Sequence, residues 1–197
     1  MFERPIHWLR SLPIVPLTWN SELQKLEAHR DRVSSVAFSP DDLLLASASN
    51  NGTIRLWNVM TGEQVQQLRH GHDGIVHNVI FSPDRNSRRL ASATQKEIML
   101  WDIATGERLL ELDCNSHFGD SVVFSSDGHL LFSASSEKRM VMVWNAVTGE
   151  LVRRRFSVRS IEAIPITISP NSELFASSEY STRKTITIQR TTTGQRV

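Results

Sequence analysis

The chain has 197 residues, 40% of them hydrophobic, which suits a folded core and excludes a disordered tail. Its formal charge of +1, from 22 basic and 21 acidic residues, excludes a whole-molecule pull toward nucleic acid or an anionic membrane. One cysteine, Cys114, excludes an intrachain disulfide and fits a reducing compartment, cytosol by default or nucleus.

Residues 1–20 read as an N-terminal connector. Phe2, Ile6 and Leu9 can share one face of a short helix opened by Pro5, the alternative being a loosely packed lead-in, before Pro13 and Pro16 force an extended path. Arg4, Pro5, Arg10, Pro13 and Pro16 interrupt the apolar residues, so no stretch suits a signal peptide or a membrane span. Leu23 to Leu26 reads as a lone outer strand.

From His29 to Glu63, alternation marks four strands: Val33, Val36 and Phe38; Leu43, Leu45, Ser47 and Ser49; Ile54, Leu56 and Trp57; Val65 and Leu68. Ser39 to Asp42, Asn50 to Gly52 and Thr61-Gly62 supply the Pro, Asp, Asn and Gly of tight antiparallel turns. The unit then recurs. Thr-Gly closes it at Gly62, Gly106, Gly149 and Gly194, at intervals of 44, 43 and 45 residues. Phe38, Phe81, Phe124 and Ile168 keep the same period, as do Trp57-Asn58, Trp101-Asp102 and Trp144-Asn145; the fourth copy carries Gln189-Arg190. The second repeat has a basic turn from Asp84 to Arg89, and Pro165 predicts a bulge or an unpaired position in the first strand of the fourth.

A period of about 40–45 residues with an early His and a late Trp-Asp is a propeller-blade signature, and these anchors resemble the WD40-repeat family from Leu23 to Val197. The resemblance implies an all-β fold: a partial WD40 β-propeller over 21–197, with four blades of four-stranded antiparallel meanders at about 27–68, 69–112, 113–156 and 157–197. Three complete strand sets and a fourth lacking its outer strand predict an open arc, because four blades lie at the bottom of the range for closed rings. A second resemblance lies in Trp19, Asn20, Leu23, Gln24, Leu26 and Glu27, which look like the connector before the first repeat of fungal NACHT-type regulatory ATPases.

In the resembling family a His, a Ser or Thr, an Asp and the Trp form a buried hydrogen-bond chain. By position it implies His29, Ser47, Asn51 and Trp57 in the first blade, His72, Ser92 and Trp101 in the second, and His117, Ser133, Glu137 and Trp144 in the third. The family's recognition surface, the ring's top face, corresponds to Arg32, Ser34, Asn50, Ile75, His77, Phe118, Asp120 and Ser136. Their variation from repeat to repeat fits a docking surface and equally fits drift at exposed sites.

No catalytic constellation emerges. His70, His72 and His77 are spaced like metal ligands, but no Cys partner or HExxH accompanies them, and His72 has a structural role. No G-x-S-x-G elbow or phosphate-binding P-loop occurs. Asp41, Asp42, Asp84 and Asp127 are explained as turn acceptors. Arg85, Arg88 and Arg89, with Arg153, Arg154, Arg155 and Arg159, can contact phosphate or an acidic partner; protection of exposed strands is the favoured reading, since no aromatics interleave them.

The expected function is therefore a non-enzymatic protein-binding scaffold or ligand-sensing module from a NACHT-type signalling protein. It needs no cofactor or metal, binds other proteins without specific nucleic acid or membrane, and can self-associate through exposed end blades. The alternatives are an adaptor in an RNA-processing or ubiquitin-ligase assembly and a truncated fragment without independent function.

Overall fold

The computed structural model describes residues 24–71, 74–84, 88–113, 121–135, 140–157, 166–179 and 185–191. The expected connector helix, Pro165, Arg85 and Arg159 lie outside them. Among the described residues the chain is all-β, with four sheets in succession and no helix.

The first blade comprises β1 (Val33–Phe38), β2 (Leu44–Ser49), β3 (Thr53–Asn58) and β4 (Gln64–Arg69). The second comprises β5 (Asn78–Phe81), β6 (Arg89–Ala93), β7 (Glu97–Asp102) and β8 (Arg108–Asp113). The third comprises β9 (Ser121–Phe124), β10 (Leu130–Ser135), β11 (Met140–Asn145) and β12 (Leu151–Ser157). β13 (Ile166–Ile168), β14 (Leu174–Glu179) and β15 (Thr185–Arg190) form the three-stranded fourth. Every pairing is antiparallel and between sequence neighbours.

Two turn chemistries explain the recurring anchors. After the third strand, the side-chain oxygen of Asn58 accepts the Met60 and Thr61 amides at 2.9 and 3.0 Å. Asp102 and Asn145 do the same for their own turns. The glycine that follows then adopts left-handed backbone, at φ +73° for Gly62, which a side chain would strain. In the Ser-Pro-Asp turn, the Ser39 hydroxyl donates to Asp41 Oδ1 at 2.5 Å and accepts the Leu44 amide at 2.9 Å. Ser125 with Asp127 repeats this, and Asn171 replaces the acid beside Ser169. The serine's donated hydrogen bond holds the Asp127 carboxyl below its usual range, so the carboxylate is committed to the turn.

The core lies between blades. Successive residues of a strand face opposite sides of its sheet, so Ile98 and Leu100 of β7 pack toward the third blade while Met99 and Trp101 pack toward the first. β11 repeats the division, with Val141 and Val143 facing the fourth blade and Met142 and Trp144 the second. Each blade thus has a leading face toward its predecessor and a trailing face toward its successor.

The two end faces are open, as expected for an arc. Val36 and Phe38, on the leading face of the first blade, are 60% and 61% exposed, whereas their equivalents Val79 and Phe81 are 3% and 5% exposed. On the trailing face of the fourth blade Ile186 and Ile188 are 75% and 46% exposed, whereas Ile98 and Leu100 are fully buried.

Three strand-level expectations are corrected. Leu23 lies outside the described residues, and Gln24–Leu26 carries no strand pairing among them, although it holds the position of an outer strand: Gln24 packs on Gly62 as Gln66 packs on Gly106. Leu43 precedes β2, its amide drawn into the turn by Asp41 at 3.1 Å. Arg89 belongs to β6, and its guanidinium donates to the Ala146 carbonyl of the third blade at 3.3 Å.

Candidate interaction face and its hydrogen-bonded frame

In the first blade a continuous chain crosses the sheet to the turn at its upper end. The Trp57 indole N–H donates to Ser47 Oγ at 2.8 Å, and Ser47 Oγ meets His29 Nε2 at 2.7 Å. On the other side of the imidazole, Thr53 Oγ1 lies 3.2 Å from Nδ1 and donates to Asn51 Oδ1 at 2.6 Å. The Thr53 hydroxyl has one hydrogen, given to Asn51, so it accepts from His29 Nδ1–H. Nε2 is then the acceptor for the Ser47 hydroxyl, and the ring is neutral. Burial, assisted by the nearby Arg55 cation, lowers the His29 pKa and favours that same state.

Thr53 is the member that sequence reasoning missed. Asn51 reaches His29 only through it, because β3 starts two residues beyond Asn51 and carries the threonine up beside the ring. The Asn-Gly-Thr run contained the signal: an Asn side chain commonly takes hydrogen bonds from the residue two positions on, and Thr53 supplies both its amide and its hydroxyl.

The second blade keeps the Trp101-to-Ser92 bond at 2.8 Å. His72 lies outside the described residues. His70, weighed in sequence only as a metal ligand, enters the same corner with its Nε2–H donated to the Ser92 carbonyl at 3.2 Å and its ring edge-on to Trp101. Its Nδ1 faces Glu97 Oε1 at 3.4 Å without hydrogen-bond geometry, and Glu97 stands where the first blade has Thr53. Burial pushes the His70 pKa down to about 4 and raises that of Glu97, the neighbouring Glu111 carboxylate adding to the latter.

In the third blade Trp144 donates to Ser133 at 3.0 Å, while His117 and Glu137 lie outside the described residues. Gln189 holds the tryptophan position of the fourth, buried opposite Phe175.

The upper end of the arc gathers five interaction candidates. Arg32 is exposed, and its carbonyl accepts the Asn50 amide at 3.0 Å. Ser34 contacts the Ala48 carbonyl at 3.2 Å and the Val76 carbonyl more closely, which commits its hydroxyl to stitching the first two blades together. Ile75 is exposed and His77 half-buried, and both line a cleft of about 300 Å³ completed by Gly74 and the turn Thr94–Glu97. Phe118, Asp120 and Ser136 lie outside the described residues. At the lower end a second cleft, of about 380 Å³, lies between the Ser39–Leu44 turn and Arg88–Arg89. Among the described residues no three His, Cys, Asp or Glu side chains converge as metal ligands, and no helix is long and apolar enough to cross a membrane.

Known proteins resemble the chain in sequence over part of their length. The chain is 39% identical over 97 residues to the small ribosomal subunit protein RACK1y of rice, matching 49% of this chain and 27% of that protein. It is 37% identical over 95 residues to apoptotic protease-activating factor 1 of rat, matching 44% of this chain and 7% of that protein. The chain thus spans about a quarter or less of these relatives' lengths. The crystal structure of the computationally designed Ika4 protein superposes with a TM-score of 0.68 at 22% identity, over 86% of this chain and 97% of that one, which shows a shared fold. A family model described as WD domain, G-beta repeat matches residues 20–58, 62–102 and 112–145. With more than half of its residues so matched and its strands in the corresponding meanders, the chain belongs to the WD40-repeat family.

Proposed function

We propose that the chain is a non-enzymatic interaction scaffold that engages another protein through the upper end of its first two blades. The observation that carries this reading is the cleft beside Ile75 and His77, which sets an exposed apolar side chain within a polar rim formed by Thr94, Gln95, Lys96 and Glu97. An apolar anchor inside a polar rim is the usual anatomy of a protein-binding patch. Within the rim, Thr94 Oγ1 accepts the Lys96 and Glu97 amides at 3.3 and 3.2 Å, so the turn is formed before a partner arrives.

The finer proposal places the module in a NACHT-type signalling protein, acting as a ligand sensor in the cytoplasm. The connector residues Trp19 to Glu27 and the partial match to apoptotic protease-activating factor 1 support it. An adaptor role in an RNA-handling assembly is the second reading, favoured by the match to a ribosomal subunit protein.

The test is quantitative cross-linking and capture from extract with the intact chain, Ile75→Glu, His77→Glu and, as a surface control, Gln67→Glu. Loss of the same captured protein in the first two variants, and retention in the third, supports the proposal. Unchanged capture in all three sinks it. Loss of the captured species on nuclease treatment moves the assignment to the second reading.

A further inference from the structure

The two open faces are complementary by the chain's own internal repetition. Val33, Val36 and Phe38 on the leading face correspond to Val76, Val79 and Phe81, which are buried against Ala46, Ala48, Ile54, Leu56 and Leu68 of the preceding blade. The fourth blade's trailing face carries Ile186 and Ile188 in the positions of Ile54 and Leu56. The exposed leading face therefore has the shape that a trailing face receives. One arc ends in each.

The backbone is complementary as well. Among the described residues β15 pairs only with β14, so its outer edge has no strand, whereas β3, β7 and β11 each pair with a fourth strand. Conversely, Gln24–Leu26 sits against the Gly62 turn as an outer strand of a preceding blade would, with no sheet of its own to join. Residues equivalent to Leu26 are Leu68 and Leu112, which pair with Ile54 and Ile98. Leu26 is thus suited to lie opposite Ile186, with Lys25 opposite Thr187.

We propose that this polypeptide pairs head to tail with a second copy, the two arcs closing into one eight-bladed ring in which residues 24–28 of each copy form the outer strand of the other's fourth blade. Contacts between unlike faces close into a ring when the rotation allows and otherwise run on as filaments. Two four-bladed arcs give eight blades, inside the usual range for closed propellers. Each junction removes a bare strand edge and an apolar face from water together. This inference is independent of the upper-face docking site.

Size-exclusion chromatography with light scattering should give twice the 22.3 kDa chain mass. Val36→Arg combined with Phe38→Glu should raise the dimer dissociation constant at least 100-fold and yield the single-chain mass. Both side chains are already exposed within one chain, so near-ultraviolet circular dichroism of the tryptophans should persist in that variant. A covalent test uses Lys25→Cys with Thr187→Cys in a Cys114→Ser background: oxidation should give a disulfide-linked dimer on a non-reducing gel. A monodisperse monomer of the unaltered chain, an intramolecular disulfide, or a ladder of higher species would each overturn the closed pair.

Discussion

Ser47→Ala is the sharpest single perturbation of the first blade. The hydroxyl accepts the indole N–H of Trp57, a residue only 5% exposed, and donates to His29 Nε2. Removing it leaves a buried donor without a partner, which costs about 1–3 kcal/mol, and deletes a second hydrogen bond of about 0.5–1.5 kcal/mol. The sum is roughly 2–4 kcal/mol, or about 5–15 °C in Tm for a domain of this size. Urea unfolding followed by tryptophan fluorescence and circular dichroism measures it. A double-mutant cycle with Trp57→Phe, which keeps the ring's bulk and removes the N–H, should show a coupling of at least about 1 kcal/mol. A Ser47→Ala cost below about 0.5 kcal/mol, with no coupling to Trp57, would refute the hydrogen-bond chain as a source of stability.

Three other outcomes follow from the same geometry. His70 is held neutral with a pKa near 4, so between about pH 6.5 and 4 the unfolded chain binds a proton that the folded chain refuses. Stability should be complete above that window and fall on acidification by up to about 3 kcal/mol, with His29 adding and Glu97 opposing; His70→Phe should flatten the profile, and an unchanged profile contradicts the assignment. Gly106→Ala forces a side chain onto φ +78° and into the Gln66 amide, for a loss of about 1–3 kcal/mol that should shrink when Gln66 is also alanine; additive losses in urea melts speak against that contact. Trp57→Ala should cost about 3–5 kcal/mol and Gln189→Ala less than about 1.5, a ranking that thermal melts of the two variants can reverse.

The period-two pattern and the turn residues made the fold legible, because each repeats the same local chemistry. Asn58, Asp102 and Asn145 must accept two turn amides, and the glycine after them must turn left-handed, so both stay in register with Trp57, Trp101 and Trp144. The fourth blade was readable through its Ser-Pro turn, its Thr193-Gly194 pair and its strand spacing, since Gln189 replaces the tryptophan. Side-chain links between segments were harder. Thr53 reads as an ordinary strand residue and Arg89 as the end of a basic turn, and only the assembled sheet shows one bridging His29 to Asn51 and the other crossing to the third blade. His70 illustrates the limit of spacing arguments: a two-residue offset from His72 suggested a ligand pair, while burial and the Ser92 carbonyl decide its role. The open ends were legible as a strand count, but which side chains they expose required the alternation of faces.

Placing the core between blades has a consequence for how the molecule comes apart. Stability in such an array is a sum over neighbouring contacts, so an interior blade is held from two sides and a terminal blade from one. Among the described residues the third-to-fourth interface takes one buried hydrophobic side chain, Phe175, from the fourth blade, whereas the two interfaces before it draw several from each partner. In the unpaired chain, as in the variant carrying Val36→Arg with Phe38→Glu, opening should therefore begin at β13–β15 and travel backward, and amide hydrogens there should exchange long before those of β6, β7, β10 and β11.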